Sequence, residues 1–126
     1  MGEYALMKNG IYDAASAKRV ADVLRHEHGH ALDRLIGASE SPAFVAAYTA
    51  DVADLVPWLT RLPADAADEL KYLTQSGPAG RHEAFAELFA ELHGGGTTTF
   101  LNVSGGMPRS LTATRAIIRA WERERP

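Results

Sequence analysis

Apolar residues recur at three- and four-residue spacing along most of this chain, the period of helices that bury one face. Ala17, Val20, Ala21, Leu24, Ala31, Leu32 and Leu35 mark a first helix, with Ser16 as its N-cap and Gly37 as its stop. Ser41 caps a second helix that opens on Pro42 and carries Phe44, Val45, Tyr48, Val52 and Leu55 inward until Pro57 ends it. Trp58 and Leu59 are expected to pack. A third helix, Pro63 to Leu73, buries Ala66, Ala67, Leu70 and Leu73, and its early Asp65, Asp68 and Glu69 suit the positive end of the helix dipole. The run Arg81 to His93 predicts a fourth, with Phe85, Phe89 and Leu92 in one apolar row. The last, Pro108 to Glu124, turns Leu111, Ile117, Ile118 and Trp121 inward and its arginines outward.

Two segments break the helical period. Tyr4-Ala5-Leu6-Met7, Lys8-Asn9-Gly10 and Ile11-Tyr12 read as a short hairpin, because Asn-Gly suits a tight turn. Thr97 to Val103 has strand composition between Gly94-Gly95-Gly96 and Ser104-Gly105-Gly106. The triple glycine is not a phosphate loop, since no GK[ST] follows. The predicted fold class is therefore α+β, mostly helical, with the whole chain, 1–126, as one domain. The segment Thr74 to Gly80 reads as a connector, or as the rim of a cleft.

With 46% hydrophobic and 23% charged residues, 126 residues are enough to bury a sizeable core. A net charge of −3 with mixed signs gives no footprint for nucleic acid, and the arginines of the last helix, interleaved with Glu122 and Glu124, read as a solvated face. The absence of cysteine removes any disulfide framework and any CxxC metal site. Neither an apolar run of membrane-spanning length nor a leader pattern is present, which predicts a soluble chain without a membrane partner, cytoplasmic or delivered as part of a longer secreted protein.

The first helix contains His26-Glu27-His28-Gly29-His30, an HExxH run. Residues four apart lie on one helix face, so both imidazoles reach one metal ion while Glu27 points beside it. A chance match on a solvated charged face is the competing reading. Gly29 costs about 1 kcal/mol relative to alanine in a helix, so its presence predicts the close approach of another backbone. In the fourth helix Glu83 and Glu87 stand one turn apart, and such like charges repel unless a cation or donor lies against them.

HExxH followed by a helix carrying ExxxE is the gluzincin pattern. The wording here, HEHGHALD and then EAFAELFAE, most resembles the lethal-factor-type metallopeptidases found as toxin and effector domains. The resemblance implies a minimal zincin-like core with a short β-hairpin or sheet packed on the active-site helix. It implies Zn²⁺ as cofactor, His26, His30 and Glu83 as its ligands, Glu87 orienting a ligand histidine from behind, and Glu27 as general base. The family often has a tyrosine shortly before the third ligand; Ser76 stands there in this chain, and Tyr72 lies further back. The phage-repressor-cleaving regulatory peptidases, with HExxH and ExxAN, are a neighbouring resemblance, from which Glu87 departs.

Three protein ligands leave a position for water, whose pKa zinc lowers from 15.7 to about 7. Glu27 then takes the proton and passes it to the leaving amine. Candidate donors to the oxyanion are Tyr72, His82, His28 and Arg81, with His28 expected on the far side of its helix and His93 as a partner of the helix dipole. The implied partners are a protein or peptide substrate and, for a toxin, a cognate immunity or inhibitor protein. The competing class is a non-catalytic zinc-stabilised interaction domain, which would need a fourth protein ligand. The segment Tyr4 to Tyr12 is either a core hairpin or an edge that holds substrate by strand addition. Phe44, Tyr48, Phe85 and Phe89 are core at helical spacing before they are a substrate pocket.

Overall fold

A computed structural model describes residues 14–125. Among these residues six helices follow one another: α1 (Ala14–Ile36), α2 (Pro42–Leu55), α3 (Ala64–Leu73), α4 (Pro78–Leu92), the single turn α5 (Val103–Gly106) and α6 (Pro108–Glu124). Short 3₁₀ turns at Ala38–Glu40 and Val56–Trp58 follow α1 and α2. Helix α4 is central: every residue from Ala84 to Ala90 is buried, because α1, α3 and α6 pack around it. The α1–α4 contact is the most extensive of all, and α2 completes the bundle against α6.

The local signals for the helix ends hold in most places. Gly37 takes a left-handed φ of 66° and stops α1. The Ser41 hydroxyl accepts the Phe44 N–H at 3.3 Å, with Pro42 in the first turn of α2. Pro78 opens α4 three residues ahead of Arg81, so the connector before it is shorter than expected. Ser16 lies inside α1 and is not its cap.

Phe44, Tyr48, Phe85 and Phe89 are core residues: Phe44 meets Phe85 edge-on at 5.7 Å, and the Tyr48 hydroxyl donates to the Leu73 carbonyl at 2.8 Å. Leu70, Leu73 and Ile118 are buried as their spacing predicted, whereas Trp58 remains half exposed beneath the Arg61 guanidinium.

Helix α1 buries Leu32 but not the rest of the apolar row read from its sequence. Leu24 is 64% and Leu35 71% exposed, while the stripe Asp22, His26, Gly29, Leu32 and Asp33 turns inward. That polar stripe is tolerated because its groups are bonded: Asp33 accepts the Ser39 N–H and hydroxyl, both at 2.7 Å, and Asp22 is held by Lys18 and Arg25.

The expected α+β class is corrected to an all-helical one: among the described residues there is no strand, and so no sheet packed on α1. The hairpin expected at Tyr4 to Tyr12 lies outside the described residues. The segment from Thr97 to Val103, expected as a strand, is irregular before the α5 turn. Its N–H groups are taken by side chains in place of a partner strand: Glu69 accepts those of Thr99, Phe100 and Leu101, Glu87 those of Thr97 and Thr98, and Glu91 those of Val103 and Ser104. Carboxylates on α3 and α4 thus do the work that a ladder would do. No helix among the described residues is long and apolar enough to cross a membrane.

Candidate metal centre

The site grows out of the most extensive helix contact in the bundle. A Cβ on Gly29 would stand 2.8 Å from the Ala86 Cα and 2.9 Å from its carbonyl oxygen, so the α1 and α4 backbones touch where the sequence called for close approach. Gly29 lies between His26 and His30, and Ala86 between Glu83 and Glu87. Two histidines on one helix are thereby pressed against two glutamates on the other.

His26 and His30 both direct Nε2 at one oxygen, Oε1 of Glu83, at 2.9 and 3.1 Å. The three donor atoms lie within 4.8 Å of one another. Donors on a tetrahedron around zinc at about 2.0–2.1 Å are separated by about 3.4 Å, so this set fits the ion with small side-chain adjustments. The other His26 nitrogen, Nδ1, meets Glu87 Oε1 at 2.9 Å. A metal on Nε2 would leave Nδ1–H to donate to Glu87, the second bond that fixes the tautomer of a ligand histidine.

Glu87 is fully buried, and five bonds satisfy it. Besides His26, it accepts the Thr97 N–H at 3.0 Å and hydroxyl at 2.8 Å, and the Thr98 N–H at 2.9 Å and hydroxyl at 3.1 Å. Burial pushes its carboxyl up, but His26 and the threonine donors outweigh this and bring it down to about 2. Burial likewise pulls the His26 imidazole down, and its two carboxylate partners more than compensate, leaving it raised. For Glu83 desolvation pushes up, and Tyr72, His26 and His30 together bring it below the usual range.

Tyr72 is half exposed on α3, with its hydroxyl bonded to the Glu83 carboxylate and the Glu27 charge within electrostatic reach. Desolvation of the hydroxyl, then those two charges, push it up to about 12, so it is a proton donor at neutral pH. Glu27 is exposed on α1, one residue from His26.

The remaining candidates lie elsewhere. His82 meets Glu40 at 3.2 Å, and Arg81 pairs with the same carboxylate at 3.1 Å. His28 rests against Phe89, with ring centroids 5.2 Å apart, away from the centre as its position on the helix predicts. His93 Nδ1 donates to the Phe89 carbonyl at 2.7 Å near the end of α4, which fits the dipole role.

Sequence reading missed the residues behind Glu87. Thr97 and Thr98 read as strand composition, and only their place right after a glycine run that follows the ligand helix hinted at a tight loop. Gly96 is part of the same device, since a side chain there would collide with the Glu87 carboxylate. The Arg25 guanidinium clips this loop to α1 through the Gly95 carbonyl at 3.0 Å. Two clefts flank the loop: one of about 290 Å³ beside Asp68, Glu69 and Tyr72, and one of about 540 Å³ beside Lys18, Arg19 and Val23.

Compared with known protein families, curated proteins and solved structures, the chain matches none. Function is therefore argued from the site itself.

Proposed function

We propose that this protein is a single-zinc metallopeptidase of gluzincin type, acting on a protein or peptide substrate. One observation carries the reading: His26, His30 and Glu83 converge while Glu87 backs His26 and Glu27 lies beside them. When bound, zinc supplies a Lewis acid and an acidified water.

The chain's own residues divide the rest of the work. Glu27 takes the proton of the attacking water and delivers it to the leaving amine, a role for which its exposed position beside the centre suits it. The Tyr72 hydroxyl donates to the oxyanion that forms at the scissile carbonyl. Glu87 holds the His26 ring in one orientation, and the Thr97 and Thr98 donors keep Glu87 ionised. The clefts on either side of Thr97 and Thr98 offer room for substrate residues flanking the scissile bond.

A closed structural zinc site is less well supported, because it needs a fourth protein donor. Glu87 is engaged by His26 and the threonines, His82 by Glu40, and His28 lies away from the centre. Delivery as a toxin with a cognate inhibitor and action as a cytoplasmic regulator are both compatible with this chemistry. Elemental analysis of the wild-type protein beside Glu83→Ala tests the metal: about one zinc per chain, lost or much weakened in the variant, is expected. Folded protein that takes up no added zinc would end the reading.

A further inference from the structure

On the side of the α1–α4 pair away from the metal centre, two adjoining cavities of about 330 and 150 Å³ share His93, Ile118 and Glu122, and so form one groove. Its rim carries Arg25, His28 and His93 from the α1–α4 side, and Arg115, Arg119 and Arg125 at and just beyond α6. Glu122 is the single acid that lines it. In a chain of net charge −3 this is a local reversal of sign. Arg115 and Arg119 have no ion-pair partner among the described residues, so their charge is available to a ligand.

The floor is apolar: Leu32, Phe89, Leu92 and Trp121 lie beneath the cationic rim. Its aromatic faces are already covered. Arg125 lies 4.4 Å over the Trp121 ring, His93 stacks on Phe89 at 4.2 Å, and His28 leans on the same ring. Nucleic acid bound without sequence preference stacks its bases on open aromatic faces, which this groove lacks. An anionic partner whose own apolar side chains fill the floor matches both features.

We propose that this groove is a docking site for an acidic segment of a partner protein, one that alternates carboxylates with aliphatic side chains. The carboxylates pair with the arginine rim while the aliphatic groups displace water from the Leu32, Leu92 and Ile118 floor. The site does not depend on the metal. His28 projects from α1 about 200° around the helix from His26, so an occupied groove leaves the metal centre open.

The test uses the full chain and a fluorescein-labelled peptide of alternating glutamate and leucine, read by fluorescence anisotropy. Binding is expected to weaken with added salt and to fall by about tenfold or more in the Arg119→Glu, Arg125→Glu double variant. Both positions are exposed, so the fold and the zinc content of that variant should match wild type. Peptides with lysine in place of glutamate, or serine in place of leucine, are expected to bind much more weakly. Equal binding of the glutamate–leucine peptide to wild type and variant would overturn the proposal. So would no binding at all, or preferential binding of oligouridylate, which would assign the groove to nucleic acid.

Discussion

Gly29 and Ala86 meet backbone to backbone, with only 2.8 Å between the position of a Gly29 Cβ and the Ala86 Cα. This contact brings the turn that carries His26 and His30 against the turn that carries Glu83 and Glu87, so the geometry of the candidate metal centre and the helix packing share one origin. A Gly29→Ala variant should gain about 1 kcal/mol in helix propensity and lose more than that to overpacking, typically about 1–3 kcal/mol. The expected outcome is a lower melting temperature together with at least tenfold weaker zinc binding. A variant as stable as wild type would mean that the helices do not approach this closely.

In the proposed function Glu87 is a positioning residue, and its loss should weaken the metal without removing a ligand. Glu87→Gln is expected to lower zinc affinity about 10–100-fold, measured by competition with a chromophoric chelator. Thr97→Val together with Thr98→Val should act in the same direction, because Glu87 would lose two of its hydroxyl donors. Unchanged affinity in both variants would leave the network behind His26 without a role.

The two shifted groups of this network give opposite pH dependences in metal-free protein. The His26 pKa is raised above 6.5, so the stability it contributes is fully present below that pH and is lost as pH rises through the raised value. Glu87 is lowered from 4.5 to about 2, so its contribution is present above 4.5 and is lost as pH falls toward 2. Zinc needs His26 deprotonated at Nε2, so the stabilisation on adding zinc should grow as pH rises from about 5 to 8. Melting temperatures recorded with chelator from about pH 2 to 8, and with zinc from about pH 5 to 8, check both signs. A zinc increment independent of pH would contradict the assignment.

Glu27 lies beside the centre without being one of its converging donors. Glu27→Ala should keep one zinc per chain and the wild-type melting temperature while proteolytic turnover falls by about 10²–10⁴-fold. Loss of zinc in that variant would indicate that Glu27 is a ligand and not a base.

Tyr72 should act on the transition state and not on substrate binding. Tyr72→Phe removes the hydroxyl and is expected to lower kcat by about 10²-fold with little change in KM. An equal loss produced by His82→Ala, with Tyr72→Phe inert, would move the donor role to the residue that now pairs with Glu40.

Residue order along the chain was enough to place the histidine pair, the glutamate pair and the demand for a glycine between helices, because a helix converts spacing of three and four into one face. The caps at Ser41 and Gly37, the buried row of α3 and the partly buried row of α6 were legible for the same local reason. What the sequence could not decide is which face of α1 turns inward, since the apolar row at Leu24 and Leu35 and the polar stripe at Asp22, His26 and Asp33 have the same period. Tertiary partners made that choice: Arg25, Glu87 and Ser39 satisfy the polar stripe, and the Gly29–Ala86 contact admits only that rotation of the helix. Strand composition at Thr97 to Val103 likewise gave way to carboxylates on neighbouring helices that take its N–H groups, a pairing between distant residues that no local propensity encodes.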